Sequence, residues 1–162
     1  MIHPSVKFGH YCVIDGQKVE DIDLETVDVE IGEGTVVNSF VEIRKGTKIG
    51  KNCYIDSGVK ISGDCKIGNE VTLRYDTIIA RGCIIGNNVY FAPKCMTNNL
   101  DASETPIGGA TVANNCFIGT GSILNHGIFI AHDTQIGSNS YVKKPINEPY
   151  GTWVGTPAVK IK

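Results

Sequence analysis

No stretch of this 162-residue chain approaches the ~18 consecutive apolar residues of a membrane-spanning helix, although 41% of its residues are apolar. That absence excludes a transmembrane helix and leaves the apolar residues for a buried core. Between Met1 and His10 there is no apolar run behind a basic start, so no secretory leader is expected and the chain is read as cytoplasmic. An excess of one charge is also missing. Fifteen Lys and Arg face 17 Asp and Glu, and a net charge of -2 gives no electrostatic reason to expect nucleic acid. The charges are interspersed, apart from an acidic patch between Glu20 and Glu33 that reads as a solvated face or irregular arm. The 6 cysteines include no C-x-x-C pair, so their spacing offers no zinc or redox motif. What the chain does have is glycine, 19 residues of it, together with many Ile and Val, the composition of β structure with frequent turns. The length fits a single domain, 1–162.

A six-residue period organises most of the sequence. From Ile31 it runs through Val37, Ile43, Ile49, Ile55, Ile61, Ile67, Leu73, Ile79 and Ile85 to Phe91, all large and apolar. The position four later is small or β-branched throughout: Thr35, Val41, Thr47, Cys53, Val59, Cys65, Val71, Thr77, Cys83, Val89 and Cys95. Glycine often follows the large residue, as at Gly32, Gly50, Gly68 and Gly86. The phase breaks over 97–111, where asparagine, proline and glycine mark a loop, and resumes at Val112, Ile118, Leu124, Ile130, Ile136 and Val142. An opening register of Ile2, Phe8 and Ile14 is separated from the main run by an irregular arm, 15–30.

A helix needs a period of 3.6 and a half-buried strand a period of 2, and neither fits. Three short strands joined by tight corners do fit. Each strand turns one large and one small residue inward, and equivalent residues stack coil upon coil about 4.8 Å apart. One hexapeptide is too small to bury its own apolar face, so stability comes from stacked neighbours. The expected fold is all-β, a parallel β-helix with one protruding loop at 97–111. All six cysteines, Cys12, Cys53, Cys65, Cys83, Cys95 and Cys116, fall at the small inward position and read as buried structural thiols. Cys65 and Cys83 are stacked neighbours, but a disulfide between them is not expected in the cytoplasm.

Chemistry is sought where the period breaks or carries polar residues. His126 and His132 occupy the same place in consecutive hexapeptides, so they should lie on neighbouring sides of one coil rather than in one patch. The string I-A-H-D-T-Q-I-G, Ile130 to Gly137, resembles the catalytic segment of acyltransferases in the left-handed β-helix superfamily. It is similar to the UDP-N-acetylglucosamine acyltransferases of lipid A synthesis and to the bacterial N-acetyltransferases of UDP-4-amino sugars. The resemblance implies the left-handed sense of the coil, with His132 as general base and Asp133 as its acidic partner. Imidazole titrates near neutrality and suits removal of a proton from an incoming amine or hydroxyl.

Two further stretches, Ser39 to Cys53 and T-N-N at Thr97 to Asn99, resemble the short 3-N-acetyltransferases of nucleotide-linked amino sugars. That resemblance implies a substrate-binding role for Asn98. Asn99 stands where that branch has aspartate, and His126 joins them as a candidate substrate contact. The ending V-K-K-P-I-N-E-P-Y-G-T-W-V-G-T-P-A-V-K-I-K, segment 143–162 with its preceding valine, resembles the family's close beside the acetyl-CoA groove. It implies phosphate contacts from Lys143, Lys144 and Lys160 and a backbone N–H near Gly151 as an oxyanion donor. Trp153 is expected to pack on the end of the solenoid.

The implied activity is transfer of an acetyl group from acetyl-CoA to an amino group of a nucleotide-linked amino sugar, in a homotrimer, with no metal, nucleic acid or membrane partner. Transfer to a sugar hydroxyl is the near variant. Two other readings stand beside it. One is a non-catalytic β-helix assembly subunit. The other is a metal enzyme similar to γ-class carbonic anhydrases, whose zinc needs three converging histidines. The four here are His3, His10, His126 and His132, and their spacing does not match that family.

Overall fold

The computed structural model describes residues 1–162 and contains 23 short strands, one 3-10 turn at Val19–Asp21 and no α-helix. Most strands are two residues long because the chain turns a corner after every pass. The strands form three sheets. Sheet I runs from Val29–Ile31 through Lys66–Ile67 and Ile84–Ile85 to Phe129–Ile130. Sheet II runs from Lys7–Phe8 to Gln135–Ile136 and Thr152–Val154. Sheet III runs from Val13–Ile14 to Tyr141–Val142. The chain visits I, II and III in rotation, and each strand pairs in parallel with its counterpart one coil later, as Ile67 with Ile85 and Leu73 with Phe91. The result is a three-sided solenoid, the fold that the period of six predicts.

Both inward positions of the repeat are buried. Ile43, Ile55, Leu73, Ile79, Phe91, Ile118, Leu124, Ile130 and Ile136 are fully enclosed in a core cluster of 36 residues. The small positions do more than fill space. Thr35 Oγ1 donates to Gly50 O at 2.9 Å, Thr77 Oγ1 to Ala92 O at 3.2 Å, and Ser122 Oγ to Gly137 O at 2.8 Å. Cysteine thiols take the same place, with Cys53 Sγ 3.1 Å from Gly68 O and Cys116 Sγ 3.1 Å from Ala131 O. Thr35, Thr77 and Ser122, like Cys53 and Cys116, satisfy the buried group at this position by donating to a corner carbonyl of the next coil, whereas Thr134 Oγ1 is buried without a partner. All six thiols are free and buried, and burial pushes Cys65 and Cys95 up to about 11.

The glycines after the large residue have a steric cause. A Cβ on Gly68 would lie 2.7 Å from the Gly86 carbonyl oxygen, so a column of glycines lets the coils close up along the edge between sheets I and II. Near the top of that edge the column changes to Ala113 and Ala131.

The irregular parts cap the prism. In the arm, Gln17–Lys18 pairs antiparallel with Val13–Ile14, and Val19 and Ile22 pack on the core. The arm ends sooner than the sequence suggests, because Val29 and Glu30 already belong to sheet I and Val29 is buried. At the other end, Thr152–Val154 and Val159–Lys160 form an antiparallel hairpin, and Trp153 packs on the core as expected. The protruding loop leaves sheet III after Met96–Thr97 and rejoins sheet I at Thr111–Val112. Thr97 sits inward where other coils have a large aliphatic residue. Its Oγ1 accepts from Ala80 N–H at 2.7 Å and lies 3.2 Å from Cys83 Sγ.

Candidate active site

The three edges of the prism carry the polar residues that do not belong to the core, and they sort the sequence candidates. The edge between sheets I and II is built from the corner after each sheet I strand. Its successive corners read Gly86-Asn87-Asn88, Ala113-Asn114-Asn115 and Ala131-His132-Asp133. His132 and Asp133 therefore replace an asparagine pair at one rung of a repeating corner. Asp133 adopts φ 55, as Asn88 does with 53 and Asn115 with 59, so its backbone follows the local rule.

His132 Nδ1 lies 2.7 Å from Asp133 Oδ2. A carboxylate accepts, so Nδ1 carries the proton and Nε2 is left with its lone pair. Nε2 has no partner in the chain, and the His132 side chain is 50% exposed. Tyr150 sits one coil above. Its N–H donates to the His132 carbonyl at 3.4 Å, and its ring meets the imidazole edge to face with centroids 5.3 Å apart. Carboxylate and tyrosine together hold the ring with a basic nitrogen facing solvent. The sequence assigns Tyr150 no role, although a nominal count of 18 residues from His132 ends on it.

Asn98, Asn99 and His126 stand on a different edge, between sheets III and I. The loop runs over this edge, with the Asn99 carbonyl accepting from Ile107 N–H at 2.9 Å and the Gly108 carbonyl from Gly127 N–H at 2.9 Å. His126 Nδ1 is buried without a hydrogen-bond partner. Nearby, the Ser103 hydroxyl, then the Thr105 amide and other local groups, and least of all His126, hold the Asp101 carboxyl below its usual range. Asn98 also lines a cleft of about 380 Å³ on sheet III with Ile123, Asn139, Tyr141 and Thr156. The two histidines thus occupy neighbouring edges, as their spacing predicts. One chain does not bring the asparagines to His132.

Lys143 and Lys144 line a cleft of about 450 Å³ at the C-terminal end, walled by Ile146, Trp153, Pro157 and Val159. Lys160 does not line that cleft and is paired with the Glu148 carboxylate. Gly151 departs further from expectation. It is buried at the small inward position, and its carbonyl accepts from Gln135 N–H at 2.9 Å. A Cβ there would come within 3.0 Å of Trp153 Nε1. Gly151 is therefore packed against the indole rather than open at the edge beside His132. The cause is a short last coil: Ile146 stacks on Ile130 and Thr152 on Gln135, 16 and 17 positions on, so a count of 18 overshoots the corner and the place above His132 falls to Pro149, which has no N–H.

The family described as bacterial transferase hexapeptide (six repeats) matches residues 46–81. A chloramphenicol acetyltransferase of Klebsiella aerogenes is 42% identical over 63 residues, which are 39% of this chain and 29% of that protein. The chain thus spans under a third of the length of that curated relative. Among solved structures, a variant of AntD, an N-acyltransferase from Bacillus cereus in complex with dTDP-4-amino-4,6-dideoxyglucose and coenzyme A, superposes with a TM-score of 0.70 at 19% identity, covering 82% of this chain and 81% of that one. UDP-N-acetylglucosamine acyltransferase from Campylobacter jejuni superposes with a TM-score of 0.66 at 16% identity, covering 99% and 74%. At these identities the likeness is one of fold.

Proposed function

We propose that this hexapeptide-repeat solenoid is an acyltransferase that moves an acetyl group from acetyl-CoA to the amino group of a nucleotide-linked amino sugar, with His132 as general base. The observation that carries the reading is the His132–Asp133 pair, 2.7 Å apart, at the one rung of its edge where imidazole and carboxylate replace the Asn-Asn pair of the two coils beneath. The match to the transferase hexapeptide family and the fold shared with an N-acyltransferase holding an amino sugar and coenzyme A support it.

The thioester supplies an electrophilic carbonyl carbon and a thiolate leaving group. Asp133 holds the Nδ1 proton and stabilises the imidazolium that forms as Nε2 takes the proton of the attacking amine. No covalent intermediate on the enzyme is needed, since the amine attacks the thioester directly. In this reading Lys143 and Lys144, which line the C-terminal cleft, meet the coenzyme phosphates as point charges. Asn98, Asn99 and His126 serve the acceptor from the loop edge of a neighbouring copy, and a homotrimer satisfies that requirement.

The test is thiol release from acetyl-CoA across a panel of nucleotide-linked amino sugars and their hydroxyl analogues. Turnover with an amino sugar that falls ~10²–10⁴-fold in His132→Ala supports the assignment. Turnover only with hydroxyl acceptors makes it an O-acetyltransferase. No His132-dependent turnover with any acceptor refutes it.

A further inference from the structure

Below His132, the edge between sheets I and II carries a column of asparagines joined coil to coil. Lys51 N–H donates to Asn69 Oδ1 at 2.8 Å, Asn69 N–H to Asn87 Oδ1 at 2.8 Å, and Asn87 N–H to Asn114 Oδ1 at 2.7 Å. A parallel contact joins Asn88 Nδ2 to Asn115 Oδ1 at 3.0 Å. The next place in the column is His132, which brings no side-chain oxygen. The column therefore stops, and the Asn114 N–H, directed toward the His132 rung, has no acceptor in the chain.

The side chain of Asn114 is oriented by the same column. Its oxygen must face the Asn87 N–H, so its Nδ2 hydrogens face the other way, where no protein group accepts them. Asn114 is exposed. The histidine ring does not compete for these donors, because its Nδ1 is turned to Asp133 and its edge to Tyr150 above. Pro149 offers no N–H from the coil above. The N–H and the Nδ2 hydrogens of Asn114 are therefore unpaired donors one coil below the His132 rung, beside the unpaired N–H of His132 itself.

We propose that Asn114 is a catalytic residue, donating to the acyl carbonyl oxygen while His132 handles the proton. This role rests on the acyl-transfer reading above. The amine nitrogen forms a bond to the thioester carbon, and the carbonyl π pair moves onto oxygen, where the Asn114 N–H and Nδ2 hydrogens stabilise it. His132 Nε2 takes the amine proton. The oxygen then restores the double bond, the C–S bond breaks, and the departing thiolate receives that proton from His132. Donors aimed at developing negative charge are worth ~10²–10³ in rate each, and an amide pre-oriented by the solenoid needs no rearrangement to act.

The experiment compares wild type, Asn114→Asp, Asn114→Ala and Asn87→Ala by thiol release from acetyl-CoA, with thermal melting in parallel. Asn114→Asp keeps the oxygen that Asn87 requires and replaces the donor with an acceptor. It should lose ~10²-fold or more in kcat with the melting temperature unchanged, while KM for acetyl-CoA moves little. Asn114→Ala should lose kcat similarly. Asn87→Ala breaks the same column one coil lower and should keep wild-type kcat. Asn114 variants with unimpaired kcat overturn the role of Asn114 alone. So does an Asn87→Ala loss as large as that of Asn114→Ala, since the effect is then structural. A wild-type protein without His132-dependent turnover overturns the acyl-transfer reading and this role with it.

Discussion

Tyr150 presents its ring to His132 at a right angle, with an interplanar angle of 88° and centroids 5.3 Å apart, although 17 residues of chain lie between them. The tyrosine is 73% exposed and contributes little to the core. Its contact is with the imidazole, so its removal should be felt in the rate and not in stability. Tyr150→Ala is expected to keep the wild-type melting temperature and to lower kcat by up to ~10²-fold, the scale of a misplaced catalytic group. Tyr150→Phe, which retains the ring, should restore most of the rate. Steady-state kinetics on both variants decides this.

The separation of His132 from Asn98 and Asn99 onto different edges makes a second prediction. If both edges serve one site, that site is completed between copies. A chain carrying His132→Ala and a chain carrying Asn98→Ala with Asn99→Ala should each be weak alone. Co-expressed, they should form mixed oligomers in which some sites have both intact edges, and part of the activity should return. Activity that stays at the sum of the separate chains would show that the loop edge does not serve His132.

A third prediction concerns alkaline stability. Burial raises the Cys65 and Cys95 thiols from 9.0 to about 11. The folded state holds these protons more tightly than the unfolded state, so their contribution is full below pH 9 and is lost as pH climbs toward 11. Melting temperature should fall across that window, and less so in a Cys65→Thr, Cys95→Thr variant, whose hydroxyls take over the donation to the corner carbonyls. Native protein at pH 8 should resist alkylation at these thiols, while unfolded protein reacts at once.

The fourth concerns the corner between sheets II and III. Asp56 is 2% exposed and accepts from Arg74 Nε at 2.9 Å; Arg74 also donates to Tyr90 Oη at 3.1 Å. Asp56→Ala removes the charge partner but leaves Arg74 partly open to water. The expected destabilisation is about 1.5–3 kcal/mol, the scale of a charged hydrogen bond, and denaturant melts measure it. Activity per folded molecule should not change, because this corner is remote from the His132 rung.

The solenoid was legible in the sequence because its packing is local in type. Each inward residue meets its own kind one coil away, so one rule of size repeats every six residues and survives in the linear pattern. The buried cysteines, the protruding loop and the placing of the two histidines on neighbouring sides follow from that rule alone. The arm was less legible, since its end at Val29 depends on a pairing with Thr47 that no motif announces.

The candidate site was legible only in part, at His132 and Asp133, which are adjacent in sequence and so keep their spacing in any fold. The rest depends on which residues share an edge. Edges gather residues 18 or, across the loop, 27 positions apart. A last coil of 16 to 17 residues in place of 18 then buries Gly151 and puts Pro149 above the histidine. The sequence by itself determined the period, the core and the histidine pair, because side-chain size and chain adjacency are local properties. Only the tertiary structure decided that Tyr150 braces the imidazole and that the asparagine column ends beneath it, because those contacts arise from the stacking of coils.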